Sequence, residues 1–175
     1  MNAADKGATA DEDDHLAGPP TLRATLLVEA QEWRAIDVDG LCEAVLRAVA
    51  EGEDAPDVPA TLDVVFAGDE RIAALNGRHR GKDAPTNVLA FPSGEEAVPG
   101  EAVFLGGIVL AWGQLNREAQ ERNRPLTAHA THLTLHGLLH LLGHDHLVED
   151  ERLEMERREI AILEGLGIAD PYEGS

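Results

Sequence analysis

The stretch His129-Ala130-Thr131-His132-Leu133-Thr134-Leu135-His136-Gly137-Leu138-Leu139-His140-Leu141-Leu142-Gly143-His144-Asp145-His146 decides how the chain folds. Its leucines at 133, 135, 138, 139, 141 and 142 make a helix that is apolar around most of its circumference, and such a helix is largely buried. Pro125 suits the first turn of that helix. Gly143 permits the left-handed exit that ends it. A buried helix needs other layers around it, and the flanking sequence supplies them.

Upstream of Pro125, a helix is expected from about Trp112 to Arg122, preceded by an apolar strand from Val103 to Leu110. Gly106-Gly107 interrupts that strand and predicts a bulge, or backbone lying close to another group. Val88 to Phe91 reads as a short strand stopped by Pro92. Residues 77–86 lack apolar periodicity and read as a loop. Asp69 is placed to cap a short helix with Ile72 and Leu75 inward. Leu62, Val64 and Phe66 alternate as a strand, as do Leu22, Ala24, Leu26 and Val28. Between those two, Asp37 or Asp39 caps a helix carrying Leu41, Ala44, Val45 and Ala48. Downstream, a last amphipathic helix spans about Val148 to Glu164, with Leu153, Ile160 and Leu163 inward. Four strands and about five helices, with the helices clustered late, predict a single α+β domain around a small mixed four-stranded sheet.

Composition bounds the rest. The 175 residues carry 33 acidic and 14 Lys+Arg side chains, a formal net charge of −19. Residues 1–20 contribute −4 and read as a solvated, disordered acidic arm, so the domain at 21–172 is itself acidic. Net negative charge argues against a general nucleic-acid binder and against DNA, because phosphate repels it. Contact with phosphate must therefore be local. The densest basic segment is Arg78, His79, Arg80 and Lys82, and a guanidinium binds phosphate oxygens in bidentate fashion. One cysteine, Cys42, fits a reducing compartment. No apolar run reaches the roughly 20 residues needed to span a bilayer, and no secretory signal opens the chain. A cytoplasmic protein without a membrane partner is expected.

The histidines carry chemistry. An isolated His is usually a hydrogen-bonded core or surface residue, but unpartnered imidazoles on a buried helix are costly. His136 and His140 are four residues apart and lie about 40° apart around a helix axis, so both can reach one ion. The turn at Gly143 can bring His144 or His146 back to the same point. Three imidazoles and an open vertex are the arrangement of catalytic zinc, and nickel and copper also accept imidazole. His129 and His132 lie on the same stripe one and two turns earlier, as supporting or surface groups. Where zinc proteases of the H-E-x-x-H type place a general-base Glu, this chain has Gly137, which argues against a peptidase of that kind.

These residues also carry a family likeness. His136-Gly-Leu-Leu-His140-Leu-Leu-Gly-His-Asp-His146 resembles the H-G-x-x-H-L-x-G-[YH]-D-H motif of the YbeY family of bacterial endoribonucleases and rRNA maturation factors. Leu75 to Pro92 is similar to that family's L-N-x-x-[YH]-R-x-K-D-x-P-T-[DN]-V-L-S-F-P block, and Leu166 to Tyr172 to its usual finish. The resemblance implies one Zn2+ held by His136, His140 and His146, and a catalytic Arg80. It implies hydrolysis of single-stranded RNA in 16S rRNA 3′-end maturation and small-subunit quality control, with the small ribosomal subunit and its proteins as partners. Gly107 stands where the family commonly has Asp, so an acid role at that position is absent here. Two other classes compete: a non-catalytic ribosome-assembly factor with a structural metal site, which the acidic surface would suit, and a zinc hydrolase for an ester or amide.

Overall fold

Alternating apolar residues build the sheet, and the alternation sorts its two faces. In the computed structural model, which describes residues 21–80, 86–144 and 148–173, with backbone alone at 79 and 80, four strands form the sheet. They are β1 (Leu22–Val28), β2 (Ala60–Ala67), β3 (Val88–Pro92) and β4 (Val103–Ala111), in spatial order β1-β2-β4-β3. β1, β2 and β4 run parallel, and β3 pairs antiparallel with β4 at one edge. Five α-helices accompany them: α1 (Val38–Ala50), α2 (Asp69–Arg80), α3 (Trp112–Glu121), α4 (Leu126–Leu141) and α5 (Glu149–Gly165). The expected mixed sheet and five-helix domain is thus the fold. The expected acidic arm, residues 1–20, lies outside the described residues.

The core sits on one face of the sheet. Leu62, Val64, Phe66, Ile108 and Leu110 meet α1 and the leucines of α4 there, with Met155 and Leu163 of α5 joining the same cluster. Ile72 of α2 packs with Ala67, Leu89, Val109 and Ala111 on the opposite face. Leu27 of β1 is 52% exposed, so the covering of that second face is incomplete. Among the described residues no helix is long and apolar enough to cross a membrane.

Two glycines set how closely the layers meet. At Gly106 the chain has φ +129° and the β2–β4 register shifts by one residue, which is the bulge read from the sequence. A Cβ there would lie 2.1 Å from the Phe91 carbonyl oxygen, so only glycine lets β3 pair beside the bulge. At Gly137 the backbone of α4 presses onto Ile108, where a Cβ would lie 2.8 Å from a side-chain carbon. Gly137 is thus a packing residue that seats α4 on β4.

Three readings need correction. Residues 77–80 are not loop: α2 continues through Arg80, because the last turn of a helix can form without apolar periodicity. Leu153 does not face inward but is 39% exposed; the buried stripe of α5 is Met155, Glu159 and Leu163. Asp69 opens α2, yet its carboxylate accepts from the backbone N–H of Gln114 at 2.9 Å and from Arg117 at 2.8 Å. It therefore satisfies an orphan donor at the start of α3 rather than capping its own helix.

Candidate metal centre

α4 carries its histidines as a single stripe. His129 and His132 are buried, while His136 and His140 are half-buried toward its C-terminal end. Helix spacing of three and four residues stacks them one above the next. The ring centroids of His136 and His140 are 4.6 Å apart, nearly perpendicular, and their Nε2 atoms are 3.1 Å apart.

A carboxylate stands behind this pair. Glu159 of α5 is fully buried and accepts from His136 Nδ1 at 2.6 Å. A carboxylate only accepts, so Nδ1 of His136 carries a proton in this contact, and Nε2 is the nitrogen that bears the lone pair whenever the ring is neutral. The other Glu159 oxygen accepts from His132 Nε2 at 3.1 Å and from the Tyr172 hydroxyl. Burial by itself would raise the Glu159 carboxyl, but the hydrogen bonds from His132 and His136, together with positive charge on those rings when they are protonated, outweigh it and hold the group at about 2. Burial and the neighbouring Glu159 carboxylate push the Tyr172 hydroxyl far upward, so it remains a donor.

His129 has its own carboxylate. Its Nε2 donates to Glu118 of α3 at 2.8 Å, and Glu118 also accepts from Asn87 Nδ2 at 2.9 Å and Gln114 Nε2 at 3.0 Å. Burial pushes the His129 imidazole below its ordinary value, against the pull of Glu118. Asn87, at the entry to β3, is fixed in turn by its side-chain oxygen, which accepts from the Val88 N–H at 2.7 Å.

The helix end follows from Gly143. With φ +96° it lets the Gly143 N–H reach the His140 carbonyl and the His144 N–H reach the Leu139 carbonyl, a Schellman ending. His144 then turns toward the α1–β2 connection, where its Nε2 lies 3.0 Å from Asp54 Oδ1.

The residues expected to form the site are brought together only in part. His136 and His140 converge, as their spacing requires. His146 lies outside the described residues. Arg80 ends α2, which covers the sheet face opposite α4, and its side chain also lies outside the description. His129 and His132 are buried supports rather than surface groups. Position 107 alternates with Ile108, which packs against α4, so a side chain there would leave the opposite face of the sheet.

Glu159 is the functional residue the sequence reading missed. Its signal was a charge interrupting the Met155-Leu163 stripe at a spacing of four. His132, His136 and Glu159 bring ligand atoms within 4.8 Å of one another, so these three could hold an ion. The 2.6 Å separation of His136 Nδ1 and Glu159 Oε1 is a hydrogen-bond distance. Two atoms each about 2.0–2.1 Å from one tetrahedral ion lie roughly 3.3 Å apart. The Nε2 atoms of His136 and His140 come much nearer to that spacing.

A mixed-sheet α+β domain that brings a histidine pair to a helix end and backs it with a buried carboxylate gathers groups that could hold a metal ion. The chain belongs to the endoribonuclease YbeY family, whose model matches residues 27–167. It is 44% identical over 158 residues to an endoribonuclease YbeY of Chelativorans sp., covering 89% of this chain and 96% of the relative. It is 42% identical over 179 residues to the Rhodopseudomonas palustris protein of that name, covering 99% and 91%. Its fold is similar to the solution structure of TM1509 from Thermotoga maritima, with a TM-score of 0.55 and 27% identity over 87% of this chain and 96% of that one.

Proposed function

We propose that this chain is a zinc-dependent, single-strand-specific endoribonuclease acting in 16S rRNA 3′-end maturation and small-subunit quality control. The supporting observation is the His136–His140 pair, Nε2 to Nε2 at 3.1 Å, with His136 oriented from behind by Glu159. Imidazole nitrogens at this spacing suit a zinc ion, and a carboxylate on the far nitrogen is the usual companion of a metal-bound His. His146 is the third ligand in this reading, since His144 is already engaged by Asp54. Zinc, when bound, lowers the pKa of coordinated water toward about 7 and polarises a phosphoryl oxygen.

The chain's own groups do the rest. Glu159 keeps the proton of His136 on Nδ1, which leaves Nε2 to coordinate. Arg80 engages the scissile phosphate through its guanidinium and offsets charge that develops during cleavage. The family membership supports RNA as substrate, and the Arg78–Lys82 segment supports phosphate contact in an otherwise acidic protein. An acidic surface also favours basic proteins of the small ribosomal subunit as partners, in the cytoplasm.

The test joins elemental analysis of the purified protein to cleavage of single-stranded RNA by zinc-loaded and metal-free preparations. Cleavage that requires stoichiometric zinc supports the nuclease. Small-subunit binding without cleavage in either form would instead support the assembly factor with a structural metal, a reading favoured by Gly137 where a general base could stand.

A further inference from the structure

Beyond α5 the backbone reverses. With φ +75° at Gly167, the Gly167 N–H reaches the Glu164 carbonyl and the Ile168 N–H reaches the Leu163 carbonyl, a second Schellman ending. Ile168 then packs on the core. Arg124, between α3 and α4, donates from Nη2 to the Asp170 carbonyl at 3.4 Å, and Asp170 Oδ1 accepts from the Tyr172 N–H at 2.7 Å. This turn brings Tyr172 back against α4. Its ring meets His132 edge-on with centroids 5.6 Å apart, and its hydroxyl donates to Glu159 Oε2 and lies 3.4 Å from His132 Nε2.

The donors to Glu159 are divided between its oxygens. Oε1 accepts from His136, while Oε2 accepts from His132 and Tyr172. The terminal torsion of a Glu side chain is broad, so the partners of a buried carboxylate set its plane. His132 and His136 both stand on α4. Tyr172 approaches from the segment after α5 and is a donor of separate origin, fixed by its own turn. We infer that Tyr172 is a positioning residue for the metal centre: by pinning Oε2 of Glu159 it holds Oε1 on His136 Nδ1, and so keeps His136 Nε2 turned toward His140. This deepens the proposed zinc reading and rests on it. A Tyr172 that served folding alone would stabilise the turn at 167–172 without changing how the centre takes metal.

The experiment uses the full chain and a double-mutant cycle of Tyr172→Phe and Glu159→Gln, with Ile168→Ala and His136→Ala alongside. Zinc affinity is read by competition with a chromophoric chelator, and the melting temperature of each metal-free protein is recorded. Tyr172→Phe keeps the ring and removes only the hydroxyl. It is expected to bind zinc about fivefold more weakly, less than the roughly 10–100-fold that follows loss of a partner bonded directly to a ligand. In the Glu159→Gln background the same change is expected to cost nothing further, because groups that act through one another are not additive. Ile168→Ala loosens the same turn without touching Glu159, so it is expected to lower the melting temperature at parental zinc affinity. Parental affinity in Tyr172→Phe, or the same fivefold loss in both backgrounds, overturns the inference. So does an equal loss of affinity in Ile168→Ala, since affinity would then follow stability alone. Parental affinity in His136→Ala would instead overturn the ligand assignment on which the inference rests.

Discussion

Glu159 Oε1 lies 2.6 Å from His136 Nδ1, and the same imidazole turns its other nitrogen to within 3.1 Å of His140 Nε2. One ring thus links a buried charge on α5 to the half-buried end of α4. Replacing Glu159 by Gln keeps the shape but removes the charge and confronts His136 and His132 with an amide. Zinc affinity is expected to fall about 10–100-fold, with cleavage falling in parallel. Chelator competition checks this, and unchanged affinity would leave Glu159 a purely structural group.

Arg80 is tested by a variant that keeps its metal. Arg80→Ala should retain parental zinc content by elemental analysis, yet cleave single-stranded RNA about 100-fold more slowly or worse, the scale of losing one electrostatic stabiliser of a transition state. Equal cleavage rates would remove Arg80 from the mechanism.

Gly137 makes a prediction about packing. Gly137→Ala places a methyl 2.8 Å from Ile108 Cγ2, and overpacking of this kind costs about 1–3 kcal/mol. Urea denaturation should show that loss, and Ile108→Ala, which removes the clashing carbons, should cost less in the Gly137→Ala background than in the parent. If the single variant is as stable as the parent, α4 does not rest on β4 at this point.

Cys42 is buried on α1, and burial, reinforced by the nearby Asp39 charge, pushes its thiol up to about 12. The thiolate is the nucleophile, so the folded protein should resist alkylation by iodoacetamide at pH 8, while the urea-unfolded chain reacts fully. The sign for stability is also fixed. A thiol raised above its ordinary 9.0 on folding stabilises the protein below that pH, and the contribution is lost as pH climbs toward 12. Comparing Cys42→Ala with the parent across that range isolates it.

Much of the architecture was legible because local chemistry and global packing agree. Strand alternation at Leu62, Val64 and Phe66 survives as the core face of β2, and Gly143 ends α4 through the left-handed turn its lack of a Cβ allows. What was not legible depended on partners distant in sequence. Glu159 looked like one more charge on a charged helix, and only the arrival of His132, His136 and Tyr172 makes it a buried acceptor. Trp33 gave no periodic signal, yet it is fully buried, donates from Nε1 to the Ala67 carbonyl at 2.9 Å and packs edge-on against Phe66 and Trp112. Asp69 was read as a local cap because capping is normally local. The donors it accepts from sit 45 and 48 residues away.

The separation of 23 residues between His136 and Glu159 sets an order of assembly during synthesis. A ribosome polymerises the histidine helix before the acid that orients it. Until α5 docks, His136 lacks the carboxylate that keeps its proton on Nδ1. The centre therefore matures last, and a prematurely terminated product lacking α5 would be left without a correctly tuned metal pocket.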